Sequence, residues 1–123
     1  MKPDLGDRAR LLHMLEAIGH IESFLVDCDF DDFEQSILHR SAVERQLEII
    51  GEAATAISDA VKLAHSEVDW QPIKRFRNVI VHEYFGVSRQ IVWGVVKKEL
   101  PILKQQLLLI LQDSSLFPNE TSA

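Results

Sequence analysis

The chain has 123 residues, 46% apolar and 26% charged, with a formal charge of −6. That is enough for one domain with a real core and too little for two. No window approaches the roughly 18 uninterrupted apolar residues of a membrane span, and the lone cysteine, Cys28, excludes an intrachain disulfide. A single domain over 1–123 is expected, with its core at about 6–112 and a flexible polar tail at 113–123. No signal-peptide stretch follows Met1, so the cytoplasm is the expected compartment, and Asn119-Glu120-Thr121 reads as a chance match to a glycosylation site.

The pattern is helical throughout. Leu11, Leu15, Ile18 and Leu25 recur at helical steps and predict a first helix over about 6–27. The acidic run from Asp27 to Asp32 reads as a loop entering an N-cap, where carboxylates favour the positive end of the next helix. A long second helix is expected over about 31–64, with Val43, Leu47, Ile50, Ala54, Ile57 and Val61 forming its buried seam. Gly51, Ala53 and Ala54 flank that seam and permit close approach of a neighbour. A third helix starts near Trp70, with Asp69 as N-cap, Pro72 in the first turn, and Ile73, Phe76 and Ile80 facing inward. Phe85-Gly86-Val87 breaks it, and Ser88 can cap a fourth helix over about 88–112. Pro101 predicts a kink or restart there, and the apolar run from Leu107 to Leu111 suggests burial on more than one side, as at a subunit contact. The fold class is therefore all-α, a four- to five-helix up-and-down bundle.

Charge is unevenly spread. Residues 1–70 have a balance of −9, residues 71–98 a balance of +5, and residues 99–123 a balance of −2. The acidic total argues against nucleic acid as a partner, since phosphate contacts dominate that binding. A local basic zone can nevertheless attract an anionic substrate. The Asp27-Asp29-Asp31 run departs from a calcium loop, with Asp32 where glycine is needed and Leu38 where glutamate is needed. His13, His20, His39 and His65 have no zinc-site spacing and read as surface or partly buried residues, and Cys28 has no neighbouring base. No metal or cofactor is expected.

The basic zone contains Arg77-Asn78-Val79-Ile80-Val81-His82-Glu83-Tyr84. A guanidinium binds phosphate oxygens in bidentate fashion, an imidazole moves protons near neutral pH, and a phenol can be modified. On an ideal helix residues five apart lie roughly 140° apart, whereas residues seven apart nearly eclipse. Arg77 and Tyr84 then share a face that His82 does not. Convergence needs a helix end near His82 or a second copy of the chain. Spacing alone favours an ion-paired Arg77, a helix-end His82 and a packed Tyr84.

Arg77-x4-His82-x-Tyr84 resembles the signature of HepT-like toxins of the HEPN (higher eukaryotes and prokaryotes nucleotide-binding) superfamily. The resemblance extends to Arg45–Ala54, Trp70–Ile73, Tyr84–Val87, Val92-Trp93 and Leu100–Leu103, and to His13–Ile18 in the first helix. One departure is Arg75, where the family usually has glycine. The resemblance implies a HEPN-like homodimer with the motifs facing across a cleft at the interface. It also implies metal-independent cleavage of an RNA substrate by its own 2′-hydroxyl. By position, Arg77 and His82 are then catalytic, and Asn78 and Arg75 support the phosphate. Tyr84 becomes the residue that an MntA-like nucleotidyltransferase antitoxin adenylylates, as in type VII toxin–antitoxin pairs. A non-catalytic HEPN module that binds nucleotide or a nucleotidyltransferase is the alternative.

Overall fold

The computed structural model describes residues 3–70 and 89–118. Among these residues every regular element is helical, as expected. Helix α1 spans Asp7–Phe24, α2 Phe30–Gln35, α3 Ile37–Ala56 and α4 Asp59–Ala64; α5 spans Arg89–Gly94 and α6 Leu100–Leu111. A π-helical turn, Val95–Glu99, joins the last two.

The buried stripe of α1 is Leu11, Met14, Ile18 and Ile21, continued by Leu25 beyond the helix end. It runs in alternating three- and four-residue steps, and Leu15 lies half-buried on its flank. The helix stops at Phe24, three residues before the predicted end. The chain then turns through Asp27, whose φ of 57° is left-handed. A short polar side chain tolerates that region better than other L-residues do.

The single long helix predicted over 31–64 is three helices. Ser36 is extended and caps α3, its hydroxyl accepting the His39 N–H at 3.1 Å. A second break falls at Ile57 and Ser58, both extended. The seam itself survives: Val43, Leu47, Ile50, Ala54, Ile57 and Val61 are all buried, because α4 takes it over across the break. Near the end of α3 the Thr55 hydroxyl donates to the Gly51 carbonyl at 2.9 Å, a back-bond that competes with the helix ladder.

What fixes the second break is Asp7, at the start of α1. Its side chain is fully buried. One carboxyl oxygen accepts the Ser58 N–H at 2.9 Å, and the other accepts the Ser58 hydroxyl at 2.6 Å and the Asp4 N–H at 2.7 Å. This joins the first turn of α1 to the end of α3. At the far end His20 Nδ1–H donates to Gln46 Oε1 at 3.3 Å, so the two helices run antiparallel. Helix α6 also runs antiparallel to α1, with Lys104 paired to Glu22 at 3.0 Å. It contributes Leu103, Leu107 and Ile110 to the same core.

Pro101 sits in the first turn of α6, so the helix restarts there, as expected. Without an N–H it cannot bond to the Lys97 carbonyl, and its ring crowds that oxygen. The π turn just before it opens the backbone, and the Leu100 N–H bonds to the Val95 carbonyl. In the 107–111 run, Leu107 and Ile110 are buried but Leu109 is 61% exposed. The chain therefore buries only one side of that run. The tail also differs from expectation over 113–118, where a turn from Asp113 packs Leu116 and Phe117 against the core.

Asp7→Ala strips the acceptor from three donors at once and should cost about 3 kcal/mol. Ser58→Ala should cost about 1 kcal/mol, since it removes one hydroxyl bond and leaves the N–H bonded. Urea unfolding measures both; an Asp7→Ala midpoint close to wild type contradicts this role.

Candidate functional site

Arg75, Arg77, Asn78, His82 and Tyr84 all lie outside the described residues, as do Ile73, Phe76, Ile80 and Ser88 of the neighbouring predictions. The structure does describe how the chain enters and leaves that segment.

The entrance is held by His65, at the C-terminal end of α4. Its Nδ1–H donates to Glu67 at 2.8 Å and its Nε2–H to Asp113 at 2.7 Å. Asp113 also accepts from the Ser115 N–H and hydroxyl. The His65 carbonyl accepts the Trp70 indole N–H at 3.2 Å, and the Glu67 carbonyl accepts from Gln106 on α6 at 3.3 Å. With Val68 buried among these contacts, residues 65–70 are stitched to the end of α6. Trp70 is helical directly after Asp69, where an N-cap was predicted.

The exit is Arg89, the first residue of α5. Val92 fills the core behind it. Trp93 packs its ring 5.2 Å from Phe33 and 5.9 Å from Phe30, and Lys97 stands 4.8 Å over its ring. Arg89 reaches the Glu34 carbonyl at 3.5 Å, joined there by Arg40 of α3.

The other candidates resolve as structure. Asp29 and Asp32 form a reciprocal capping box on α2, which accounts for two of the acidic residues in that loop. Among the described residues no three His, Cys, Asp or Glu side chains are gathered as a metal ion needs. Burial pushes the Cys28 thiol up, and the Asp32 and Asp29 carboxylates push it further against the opposing pull of Lys97, which disfavours the thiolate. His20 stacks on Phe24, and His13 joins it along a shallow groove of about 250 Å³ between α1 and α3. Sequence reasoning missed the role of His65, whose two carboxylate partners are 2 and 48 residues away.

With this frame in place, the family model described as Ribonuclease HepT-like matches residues 14–110. The chain belongs to the HepT-like ribonuclease family. The match runs from the middle of α1 almost to the end of α6 and crosses the whole 71–88 segment. Among the relatives of this HepT-like chain is a probable ribonuclease HepT of Thermococcus cleftensis, 42% identical over 72% of this chain and 81% of its own. A candidate RNase of Caldanaerobacter subterraneus subsp. tengcongensis is 36% identical over 85% of this chain and 94% of its own. A protein of Methanocaldococcus jannaschii, named as a gamma-glutamylcyclotransferase and candidate RNase, is 36% identical over 84% of this chain. The match spans only 46% of that longer relative. No solved structure matches the chain. The all-helical architecture agrees with a HEPN-like fold. No helix among the described residues is long and apolar enough to cross a membrane.

The His65 clamp makes stability depend on pH. Burial opposes protonation of His65, but its bonds to Glu67 and Asp113 outweigh burial and raise its pKa. Its contribution is complete below about pH 6.5 and is lost as pH rises through the raised value. The carboxylates behave oppositely. Bonds to His65 and Ser115 hold Glu67 and Asp113 below the usual range, so their share fades only on acidification below about pH 4. His65→Gln should lower the melting temperature by about 4 °C at pH 6 and by clearly less at pH 8.5. Calorimetry at both values checks this, and equal losses at both contradict it.

Proposed function

We propose that the chain is the toxin of a type VII-like toxin–antitoxin pair, a metal-independent endoribonuclease that works as a homodimer. The observation that carries this reading is the HepT-like match over residues 14–110, which encloses Arg77-x4-His82-x-Tyr84. Relatives named as RNases over most of the chain add support.

In the proposed reaction the RNA's 2′-hydroxyl attacks the adjacent phosphorus. His82 takes the 2′-hydroxyl proton, the bond from phosphorus to the 5′-oxygen breaks, and that oxygen leaves as a hydroxyl after gaining a proton. A cyclic phosphate remains. Arg77 neutralises the charge that builds on the phosphate oxygens, with Asn78 and Arg75 supporting it. Residues five apart diverge by roughly 140° on a straight helix, so a second copy facing the first offers a route to bring an arginine and a histidine to one phosphate. Exposed Ile102 and Leu109, seven residues apart on α6, are compatible with a partner of that kind.

Tyr84 is the proposed switch. Adenylylation by an MntA-like nucleotidyltransferase antitoxin adds bulk and negative charge beside the phosphate-binding arginine, which repels RNA. The −9 balance of residues 1–70 favours a second reading, a non-catalytic module that binds such a transferase without cutting RNA.

His82→Ala and Arg77→Ala should each lower RNA cleavage in EDTA by at least about 100-fold. Light scattering should show the dimer mass unchanged. Intact cleavage by a folded His82→Ala protein contradicts the catalytic assignment, and tight transferase binding by an unmodified wild type that never cuts RNA supports the module. Co-expression with the transferase should add AMP mass to Tyr84 and not to Tyr84→Phe.

A further inference from the structure

Helix α2 ends against two arginines from different parts of the chain. Arg40 in α3 and Arg89 at the start of α5 both donate to one acceptor, the carbonyl oxygen of Glu34. Two guanidiniums on one oxygen atom necessarily stand side by side. Neither is in an ion pair among the described residues, whose ion-paired arginines are Arg10 and Arg45. Like charges this close repel, and an anion settled between them converts that cost into attraction. One carbonyl uses a single donor of each, and a guanidinium has five.

The same ridge continues down α5. Trp93 is four residues after Arg89, one α-helical turn along the same side, and the Lys97 ammonium of the π turn that follows stands over its ring. Trp93 is half-buried, braced from below by Phe30 and Phe33. From Arg89 to Trp93 the helix rises about 6 Å. Near Lys97 the Asp29 and Asp32 carboxylates also act, since Cys28 feels all three. The strongest anion seat is therefore the arginine pair.

We propose that Arg40 and Arg89, with Trp93 and Lys97 along the same ridge, form a docking strip for single-stranded RNA outside the Arg77–Tyr84 motif. This rests on the ribonuclease reading above and deepens it. Guanidinium forks match phosphate oxygens, and an indole braced by aromatics offers a face for a base once Lys97 swings to a phosphate. An acidic protein could use the charge but has no need of the indole. Arg89 follows His82 by seven residues in the chain.

The test is anisotropy titration of the full chain with a fluorescein-labelled 2′-O-methyl oligouridylate, which binds but lacks the attacking hydroxyl. The Arg40→Gln/Arg89→Gln double variant should bind about tenfold more weakly at low salt. Its slope of log affinity against log salt should be shallower by about 1.4, at roughly 0.7 per lost phosphate contact on a single strand. Far-UV dichroism checks its fold. If the pair also disturbs the fold, Lys97→Gln, whose ammonium stands over the Trp93 ring, should still flatten the slope by about 0.7. Unchanged affinity and slope in both variants overturn the strip, and cleavage of ordinary RNA by wild type then shows that the ribonuclease reading survives. Binding lost in the variants by a wild type that never cuts RNA leaves the strip standing and removes that reading. Polyglutamate competing as well as RNA overturns the strip in favour of an acidic protein partner.

Discussion

The described architecture turns on a buried carboxyl group. Asp7 has no exposed surface, and its partners are the hydroxyl and backbone N–H of Ser58 and the backbone N–H of Asp4. A buried carboxyl without such donors is costly, and so are buried donors without an acceptor, so the arrangement is selected from both sides. It holds α1 antiparallel to α3 and stops α3 at Ala56. It also redirects the chain into α4 and so sets where His65 begins the approach to the 71–88 segment. The hydrophobic seam from Val43 to Val61 supplies more energy, but it is non-directional. The Asp7 contacts say where it bends.

From that bend the site region inherits two anchors. His65 bridges the approach to the end of α6 through two carboxylates, and Trp93 seats the departure against Phe30 and Phe33. The first is a charged bond to a distant element, and the second is aromatic packing, with the Arg89 bond to the Glu34 carbonyl beside it. Helix α2, only six residues long, offers its carbonyl end to Arg40 and Arg89 and its capped end to the neighbourhood of Lys97. Basic groups from α3 and α5 thus meet where the chain leaves the segment that bears the motif, although the whole chain is acidic. Local placement of charge, and not net charge, is what an anionic substrate would meet.

The apolar periodicity of α1 and of the 43–61 seam was legible, because one-sided burial writes itself into spacing. The restart at Pro101 was legible because proline's missing N–H acts locally. The breaks at Ser36 and at Ile57-Ser58 were not. Serine in a helical run is a weak signal, and the group that stops the helix at Ser58 is 51 residues earlier. His65 was passed over for the same reason, since Asp113 is 48 residues away. The motif was legible as a pattern of residue types, and the family match agrees with the resemblance it carried.

The sequence by itself determined the helical class, the seam residues, the capping loop at Asp29 and the family, since each depends on residue types at short spacing. Only the tertiary structure decided that the long helix divides in three, that Asp7 and His65 are clamps, and that Arg40 and Arg89 share one carbonyl oxygen. Each of these needs two groups far apart in the chain to meet at hydrogen-bond distance. Nothing in local spacing encodes such a meeting; it follows from how the buried faces pack.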